Sequence, residues 1–310
     1  MQDARNAPLL GIGFMLAGMF FISVNDVLIK GLSGGYPLHQ IVAFRSGVGM
    51  IFVLGILMAE GGFRLLIVQR PGLHVLRAVL VVFANSAFYL AFVAMPLATA
   101  TALYFVAPLF VTLMSIPFLG EKVGVRRMTA ILVGFAGVLV LLGPELSLGA
   151  GWAAVLPVLS AAGYAGTSVL TRKLGQATRA STLALHLQVA FIIVAAAMYL
   201  LAGDGRYADS FTSESLRFAF APWVWPEPED LPSLIGLGFL SACIGYAMAQ
   251  AYRQAPASVV APFEYVLMIF ALLWGWLFFA EWPRATVFLG ATIIIASGIY
   301  IVVRERRRPV

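Results

Sequence analysis

Residues 96–121 read PLATATALYFVAPLFVTLMSIPFLGE, and residues 256–281 read PASVVAPFEYVLMIFALLWGWLFFAE, 160 positions later. The two stretches share a first proline, several apolar residues and a final glutamate, at Pro96/Pro256, Val106/Val266, Phe110/Phe270, Leu113/Leu273, Phe118/Phe278 and Glu121/Glu281. This repeat predicts a chain made of two related halves, an organisation typical of membrane transporters.

The composition places the chain in a membrane. Of the 310 residues, 61% are apolar and 11% are charged, and the mean hydropathy is +0.95, values that exclude a soluble domain. Apolar runs of about 20 residues, enough to cross a ~30 Å hydrocarbon layer as a helix, cover nearly the whole chain without strand-like alternation. We therefore predict an all-α integral membrane protein with about ten transmembrane helices, at residues 9–32, 38–59, 72–95, 97–119, 126–143, 149–172, 181–202, 232–254, 256–280 and 284–303.

Basic residues predict the orientation of these spans. Fifteen of the 20 lysines and arginines fall on one side of the ten-span layout, and short cytoplasmic loops collect positive charge. Both termini should then be cytoplasmic, with residues 304–310 as a basic tail. The net charge of +6 therefore indicates topology and not nucleic-acid binding, because the basic residues form no stripe. We expect a multi-pass protein of the bacterial inner (plasma) membrane.

Five helices per half is an odd number, so the second half should be inverted relative to the first. We assign the first repeat to residues 9–143 and the second to residues 149–303. A weaker match of Lys30 with Arg172, at an offset of 142, indicates an insertion of about 18 residues (160 − 142 = 18) in the second half. The long loop at 203–231 accommodates it. This loop has six acidic and two basic residues, which suits the extracytoplasmic face, and it is a candidate lid.

Ionisable residues inside the predicted spans are few, and such residues normally face a partner or a wet cavity. Asp26 and Arg45 both lie roughly 10 Å from the predicted outer surface, so they can meet across adjacent helices. Lys30, four residues after Asp26, offers a competing partner. The cluster is either a gate that responds to protons or a structural ion pair.

Glu264 lies roughly 12 Å inside the ninth span, and its own helix offers no obvious cation. Its repeat equivalent is Tyr104, and Tyr265 follows it. We predict that Glu264 binds substrate or couples transport to protons. The alternative is a neutral carboxyl group bonded to a neighbouring helix.

Other polar and aromatic residues in the spans are candidate substrate contacts, because flat rings can stack on a planar cargo and amides can hydrogen-bond to it. The alternative is packing or lipid contact. Together with Asp26 and Glu264, these candidates are Asn85, Tyr89, Tyr104, Tyr164, Tyr246, Tyr265 and Trp274.

Two motifs carry a resemblance to a known family. The fourth and ninth helices start with a proline and end in a glutamate, and each precedes a glycine-bearing helix (Gly134 and Gly137; Gly290 and Gly298). In these features the whole chain resembles the ten-helix branch of the drug/metabolite transporter superfamily, with two EamA-type halves. The second copy departs from the pattern, having Met268 in place of Pro108 and Ala280 in place of Gly120.

Residues 25–30 (NDVLIK), Tyr36-Pro37, Gln40 and Phe44-Arg45 are similar to the subgroup of S-adenosylmethionine and riboflavin importers. The resemblance implies a secondary transporter of a nucleotide-like or planar metabolite, with alternating access. An amino-acid or drug exporter of the same superfamily is the alternative.

Other functional classes fit the sequence less well. Ser168 precedes His186, but Val169 stands where a glycine-flanked serine nucleophile would need glycine. Cys243 is the only cysteine and no HExxH metal motif is present, so we expect no enzyme, metal site or cofactor. A channel would more often show a pore repeated around identical subunits. The expected partners are a small-molecule substrate and the lipid bilayer, with protons as a candidate coupling ion. Monomer and homodimer both stay open.

Overall fold

The computed structural model describes residues 2–68, 70–120, 123–148, 150–174, 180–207, 210–254 and 260–306. Within these ranges the chain is helical. The α-helices are α1 (Gln2–Leu32), α2 (Leu38–Glu60), α3 (Pro71–Phe92), α4 (Leu97–Tyr104), α5 (Ala107–Leu119), α6 (Val125–Leu148), α7 (Leu156–Leu174), α8 (Ala180–Ala202), α9 (Glu214–Phe220), α10 (Leu231–Gln254), α11 (Val266–Phe279) and α12 (Ala285–Arg306). Short 3-10 helices lie at Gly62–Leu66, Gly151–Val155 and Ala261–Tyr265.

The prediction of about ten transmembrane helices is confirmed. Eight helical segments of the described chain are long and apolar enough to cross a membrane, and the shorter apolar helices Phe263–Phe279 and Ala285–Ile301 bring the count to ten. Some boundaries differ from those predicted. Helix α1 starts well before residue 9, and the fourth span is two helices, α4 and α5.

The break in the fourth span has a local cause. Pro108 has no N–H to donate to the carbonyl of Tyr104, and its ring crowds that carbonyl, so α4 ends at Tyr104. The ninth span is irregular at the equivalent place, because the 3-10 helix Ala261–Tyr265 precedes α11. Met268 occupies the position of Pro108, so the second copy keeps the irregularity without that proline.

The closest helix packing runs between the two halves. Helix α1 packs on α10, α3 on α7, α2 on α8, and α6 on α12. Exchanging the halves turns the α1–α10 contact into the α7–α3 contact, and it turns the other two contacts into themselves. The packing therefore has the two-fold pseudo-symmetry that inverted repeats produce.

Glycines let α6 and α12 approach closely. A Cβ added at Gly290 would lie 2.8 Å from the carbonyl oxygen of Gly137, and one added at Gly137 would lie 2.9 Å from Ile293. Small residues at such a crossing allow two backbones to pack in lipid. The glycines of the two closing helices therefore hold the ends of the two repeats together.

The 203–231 loop is anchored on the first half of the molecule. It contains α9, whose Ser215 hydroxyl donates a hydrogen bond to the carbonyl of Leu90 in α3 (2.6 Å). The Gln40 side chain of α2 exchanges two hydrogen bonds with the backbone of Val224 (2.6 and 3.1 Å). The Tyr36 hydroxyl donates to Asp230 (2.6 Å), and this bond raises the pKa of Tyr36. We call the end of the bundle that carries Lys30 and this loop the outer end.

Candidate functional site

The two helix breaks meet at the centre of the bundle. Phe105 and Tyr265 are equivalent residues of the two repeats, and their rings are in edge-to-face contact, with centroids 5.1 Å apart. A contact between equivalent residues must lie at the pseudo-two-fold axis. Broken helices beside such an axis are where transporters built from inverted repeats hold their cargo.

An aromatic cluster with one carboxylate surrounds this point. The ring of Tyr104 lies 5.8 Å from that of Tyr164 and 5.0 Å from that of Phe88. Glu264 interacts electrostatically with Tyr104, Tyr164 and Tyr265. The structure thus brings Glu264 and these three tyrosines, all candidates from the sequence, into one site.

Polar residues of α1 and α3 extend the site toward the outer end. The Asn25 amide donates to the carboxylate of Asp26 (3.2 Å) and lies 3.5 Å from the Tyr89 hydroxyl, which donates to Asn85 (3.1 Å). Asp26 is only 4% exposed. Asn25 therefore links Asp26, Tyr89 and Asn85 into one polar group, in which Asp26 and Tyr89 are buried. Tyr89 also contacts Phe92, which packs on Phe88 of the aromatic cluster.

Arg45 and Lys30 take partners other than the direct Asp26 pairs considered from the sequence. The Arg45 guanidinium lies 5.9 Å from the ring centroid of Tyr89 and 5.6 Å from that of Phe191. It interacts electrostatically with Asp26, but the ion pairs found within the described residues do not include these two.

Lys30 links the two halves at the outer end. Its ammonium donates to the Glu281 carboxylate (2.6 Å) and to the carbonyl of Met95 (2.9 Å). The other carboxylate oxygen of Glu281 accepts a bond from the Leu97 backbone N–H (3.0 Å). We call these three groups, Lys30, Glu281 and the Leu97 N–H, the outer latch. It joins the C-terminal end of α11 to α1 and to the first turn of α4.

A cavity of about 870 Å³ lies directly outside the outer latch. Lys30 and Glu281 line it together with the turns after α1 and α3, and the loop residues Glu214 and Arg217 form part of its wall. The loop therefore borders the cavity above the latch. Its role as a lid stays a prediction.

Tyr246 and Trp274 both contact α1, and their place in the substrate site stays a prediction. Tyr246 is 53% exposed and contacts Phe14 with its ring centroid 6.2 Å away. The Trp274 indole donates to the Ser23 hydroxyl (3.0 Å) and packs against Phe20. These contacts join Tyr246 and Trp274 to α1 and do not place either residue with Glu264.

The part of the chain that the structure describes contains no candidate metal site. No three His, Cys, Asp or Glu side chains of that part are grouped so as to hold a metal ion. The chemistry available at the centre is hydrogen bonding, ring stacking and a carboxylate.

Comparison with known proteins agrees with this architecture. The EamA-like transporter family matches residues 9–143 and again residues 151–304. The chain belongs to this family. A riboflavin transporter of Rhizobium johnstonii is 31% identical to this EamA-like transporter over 308 residues, which cover 99% of this chain and 95% of that one.

An S-adenosylmethionine uptake transporter of Rickettsia felis is 26% identical to this EamA-like transporter, over 99% of this chain and 97% of the relative. A solved crystal structure with 18% identity superimposes with a TM-score of 0.65, over 98% of this chain and 99% of that one, and supports the fold alone.

The sequence does not predict four contributors to the site of this EamA-like transporter: Asn25, Glu281, Phe88 and Phe191. Asn25 is noted only as part of the motif at residues 25–30. Glu281 marks the repeat, but the sequence does not predict its bond to Lys30. Phe88 and Phe191 were not singled out, because phenylalanine is common in all the spans. Glu121, the equivalent of Glu281, and residues 307–310 of the predicted tail lie outside the described residues.

Proposed function

We propose that this EamA-like transporter is a secondary carrier of the bacterial inner membrane, not an enzyme, and moves a planar organic metabolite of the riboflavin or S-adenosylmethionine kind by alternating access. The contact of Phe105 with Tyr265 carries the proposal, because it joins the two broken spans at the pseudo-symmetry axis. A site at this axis can face either side of the membrane when the halves tilt.

The residues around the axis suit a cargo with a flat ring. The ring of Tyr104 lies between two other aromatic rings, with centroid distances of 5.0 Å to Phe88 and 5.8 Å to Tyr164. These rings offer faces and edges to a planar group. Offset or edge-on contact with such rings stabilises a planar group by about 0.5–1.5 kcal/mol beyond area burial. The names of the two relatives support the same cargo class.

The outer latch supplies one of the two barriers that alternating access needs. Its ammonium and carboxylate come from different halves, so separating the halves at this end must break the Lys30–Glu281 bond. In this conformation the latch closes the path between the outer cavity and the aromatic cluster. Opening it exposes the cluster to the cavity.

Glu264 is the proposed coupling group. Its carboxylate interacts with all three central tyrosines. Its repeat equivalent, Tyr104, carries a phenol in place of a carboxylic acid. A carboxylate in lipid is costly, and a proton or a cationic part of the cargo relieves that cost. Glu264 therefore links proton or cation binding to the occupancy of the site.

Counterflow in proteoliposomes tests the carrier. Vesicles are loaded in turn with riboflavin, S-adenosylmethionine or an amino-acid mixture, and the matching tracer is added outside. We expect saturable accumulation of one tracer. Folded protein that gives counterflow with none of the three would contradict the proposed cargo class.

Glu264→Gln separates binding from coupling. We expect this variant to keep counterflow and to lose accumulation driven by an imposed proton gradient, because the glutamine amide cannot bind and release a proton as a carboxylate does. Glu229→Gln, the same change at an exposed loop position, should keep both activities. Gradient-driven accumulation by Glu264→Gln at the wild-type level would rule out Glu264 as the coupling group.

A further inference from the structure

A buried cation in α2 has one N–H group without an acceptor among the described residues. Arg45 is 9% exposed, and its Nε–H has no acceptor within the described chain. The guanidinium instead contacts the rings of Tyr89 and Phe191. A charged donor buried without an acceptor is expensive, so a group that accepts its bond would bind there strongly.

An unused acceptor belongs to Asn25, whose amide nitrogen lies 3.5 Å from the Tyr89 hydroxyl. The Oδ1 atom of Asn25 is buried and has no donor among the described residues. The neighbouring Asp26 carboxylate accepts a bond from the Asn25 amide. Asp26 interacts electrostatically with Arg45 but forms no ion pair with it within the described chain. The site therefore has a free donor, Arg45 Nε–H, and a free acceptor, Asn25 Oδ1, among the described residues. The Arg45 guanidinium supplies a positive charge and the Asp26 carboxylate a negative one.

We propose that Arg45 together with Asn25 and Asp26 recognises a zwitterionic α-amino-acid group of the cargo. Arg45 binds the carboxylate, because the guanidinium fork matches that geometry. Asn25 Oδ1 and the Asp26 carboxylate accept N–H bonds from the ammonium. This inference rests on the proposed carrier function and narrows its cargo.

The rest of the cargo then lies at the tyrosines. Tyr104 interacts electrostatically with both Asp26 and Glu264, so the polar group around Asp26 and the aromatic cluster are continuous. A cargo with an amino-acid group at one end and a flat ring at the other spans the two regions. S-adenosylmethionine has both parts. Riboflavin has the ring and neither charge, so it should bind more weakly to this chain.

Ligands that differ by one group test the proposal on the full-length protein in detergent. Binding is measured by thermal stabilisation and in competition against the tracer that gives counterflow. S-adenosylmethionine is compared with decarboxylated S-adenosylmethionine, which lacks only the carboxylate. S-adenosylhomocysteine is compared with 5′-methylthioadenosine, which keeps the ring and the thioether and lacks the amino-acid part.

In the wild type we expect each amino-acid-bearing ligand to bind at least about tenfold more tightly than its shortened partner, the loss typical of one charge-assisted hydrogen bond. Arg45→Gln should remove the preference for S-adenosylmethionine over the decarboxylated form and leave binding of the decarboxylated form within about twofold. Arg45→Lys should restore part of the preference, since it keeps the charge without the fork.

Three results would overturn the zwitterion site. They are equal binding within each ligand pair in the wild type, no binding of any of the four ligands, and an equal loss for both members of a pair in Arg45→Gln. The wild-type comparison needs no variant, so it stands even if Arg45→Gln does not fold. Counterflow of riboflavin without binding of the four ligands would overturn this inference and leave the proposed carrier intact.

Discussion

The fourth and ninth spans end in the same backbone conformation with different residues. Gly120 follows α5 with φ of 71°, and Ala280 follows α11 with φ of 51°. A left-handed backbone is free of steric cost for glycine, whereas for alanine it costs roughly 1–2 kcal/mol. The two copies of the repeat therefore share a helix end, but only the second copy is strained there.

The strained end is the one that holds the outer latch. Glu281 directly follows Ala280, and its backbone N–H bonds to the carbonyl of Gly275 (2.9 Å). Its carboxylate is then positioned for Lys30 and the Leu97 N–H. The interactions of Glu281 offset the cost of the alanine, so this helix end depends on contacts from the other half.

The largest effect should come from removing those contacts. In Glu281→Ala the ammonium of Lys30 and the Leu97 N–H both lose an acceptor, a loss of about 1.5–3 kcal/mol for bonds to a charged group. The outer end should then open more often. Hydrogen exchange should show this as roughly tenfold faster exchange in residues 28–36 and 93–104.

Arg206→Gln is the matched control, because it breaks an exposed ion pair with Asp204 in the loop, where both side chains are more than half exposed. Such pairs contribute little. Exchange in residues 28–36 and 93–104 should stay at the wild-type rate. Unchanged exchange in Glu281→Ala as well would show that the latch does not hold the halves together.

The second-largest effect should come from placing an alanine at the left-handed helix end of the first repeat, as the second repeat already has. Gly120→Ala places a Cβ in open space but in a left-handed backbone, so it should lower the free energy of unfolding by about 1 kcal/mol. Thermal unfolding in detergent measures the change.

Gly55→Ala provides the comparison for that change. Gly55 lies within α2, and nothing would touch its added Cβ. This substitution should stabilise the protein by about 0.5–1 kcal/mol, because alanine is the better helix former. If both alanines shifted stability in the same direction, the φ of Gly120 would not be the cause.

The smallest effect should come from relieving the strain. Ala280→Gly removes the steric cost but adds freedom to the unfolded chain, so the net gain should be about 0.5 kcal/mol. Thermal unfolding of Ala280→Gly, Gly120→Ala and the double variant tests this. The two changes lie far apart and should add within about 0.5 kcal/mol. A loss of stability in Ala280→Gly would mean that the alanine methyl makes a favourable contact.

The sequence predicted the spans and the repeat because both depend on composition and spacing. Ten apolar runs and a constant offset of 160 residues were enough to place Tyr104 and Glu264 at equivalent positions. The structure then brings their neighbours Phe105 and Tyr265 into contact, which spacing alone cannot give.

Partners across the bundle could not be predicted. Lys30 was weighed against Asp26, its neighbour on the same helix, whereas its acceptor is 251 residues away in the chain. Tyr246 and Trp274 are aromatic like Tyr104, but residue type does not tell which neighbouring helix a side chain contacts. Both instead contact α1.

The loop that crosses the outer end has no counterpart predicted in the first repeat. It leaves α8 and returns at α10, both in the second half, yet it is tied to α2 and α3 by Ser215, Gln40 and Tyr36. If the outer end opens, either these hydrogen bonds break or the loop moves together with the first half. Opening of the outer end therefore carries a cost that opening of the opposite end does not, and the empty carrier should rest with its outer end shut even when cargo concentrations on the two sides are the same.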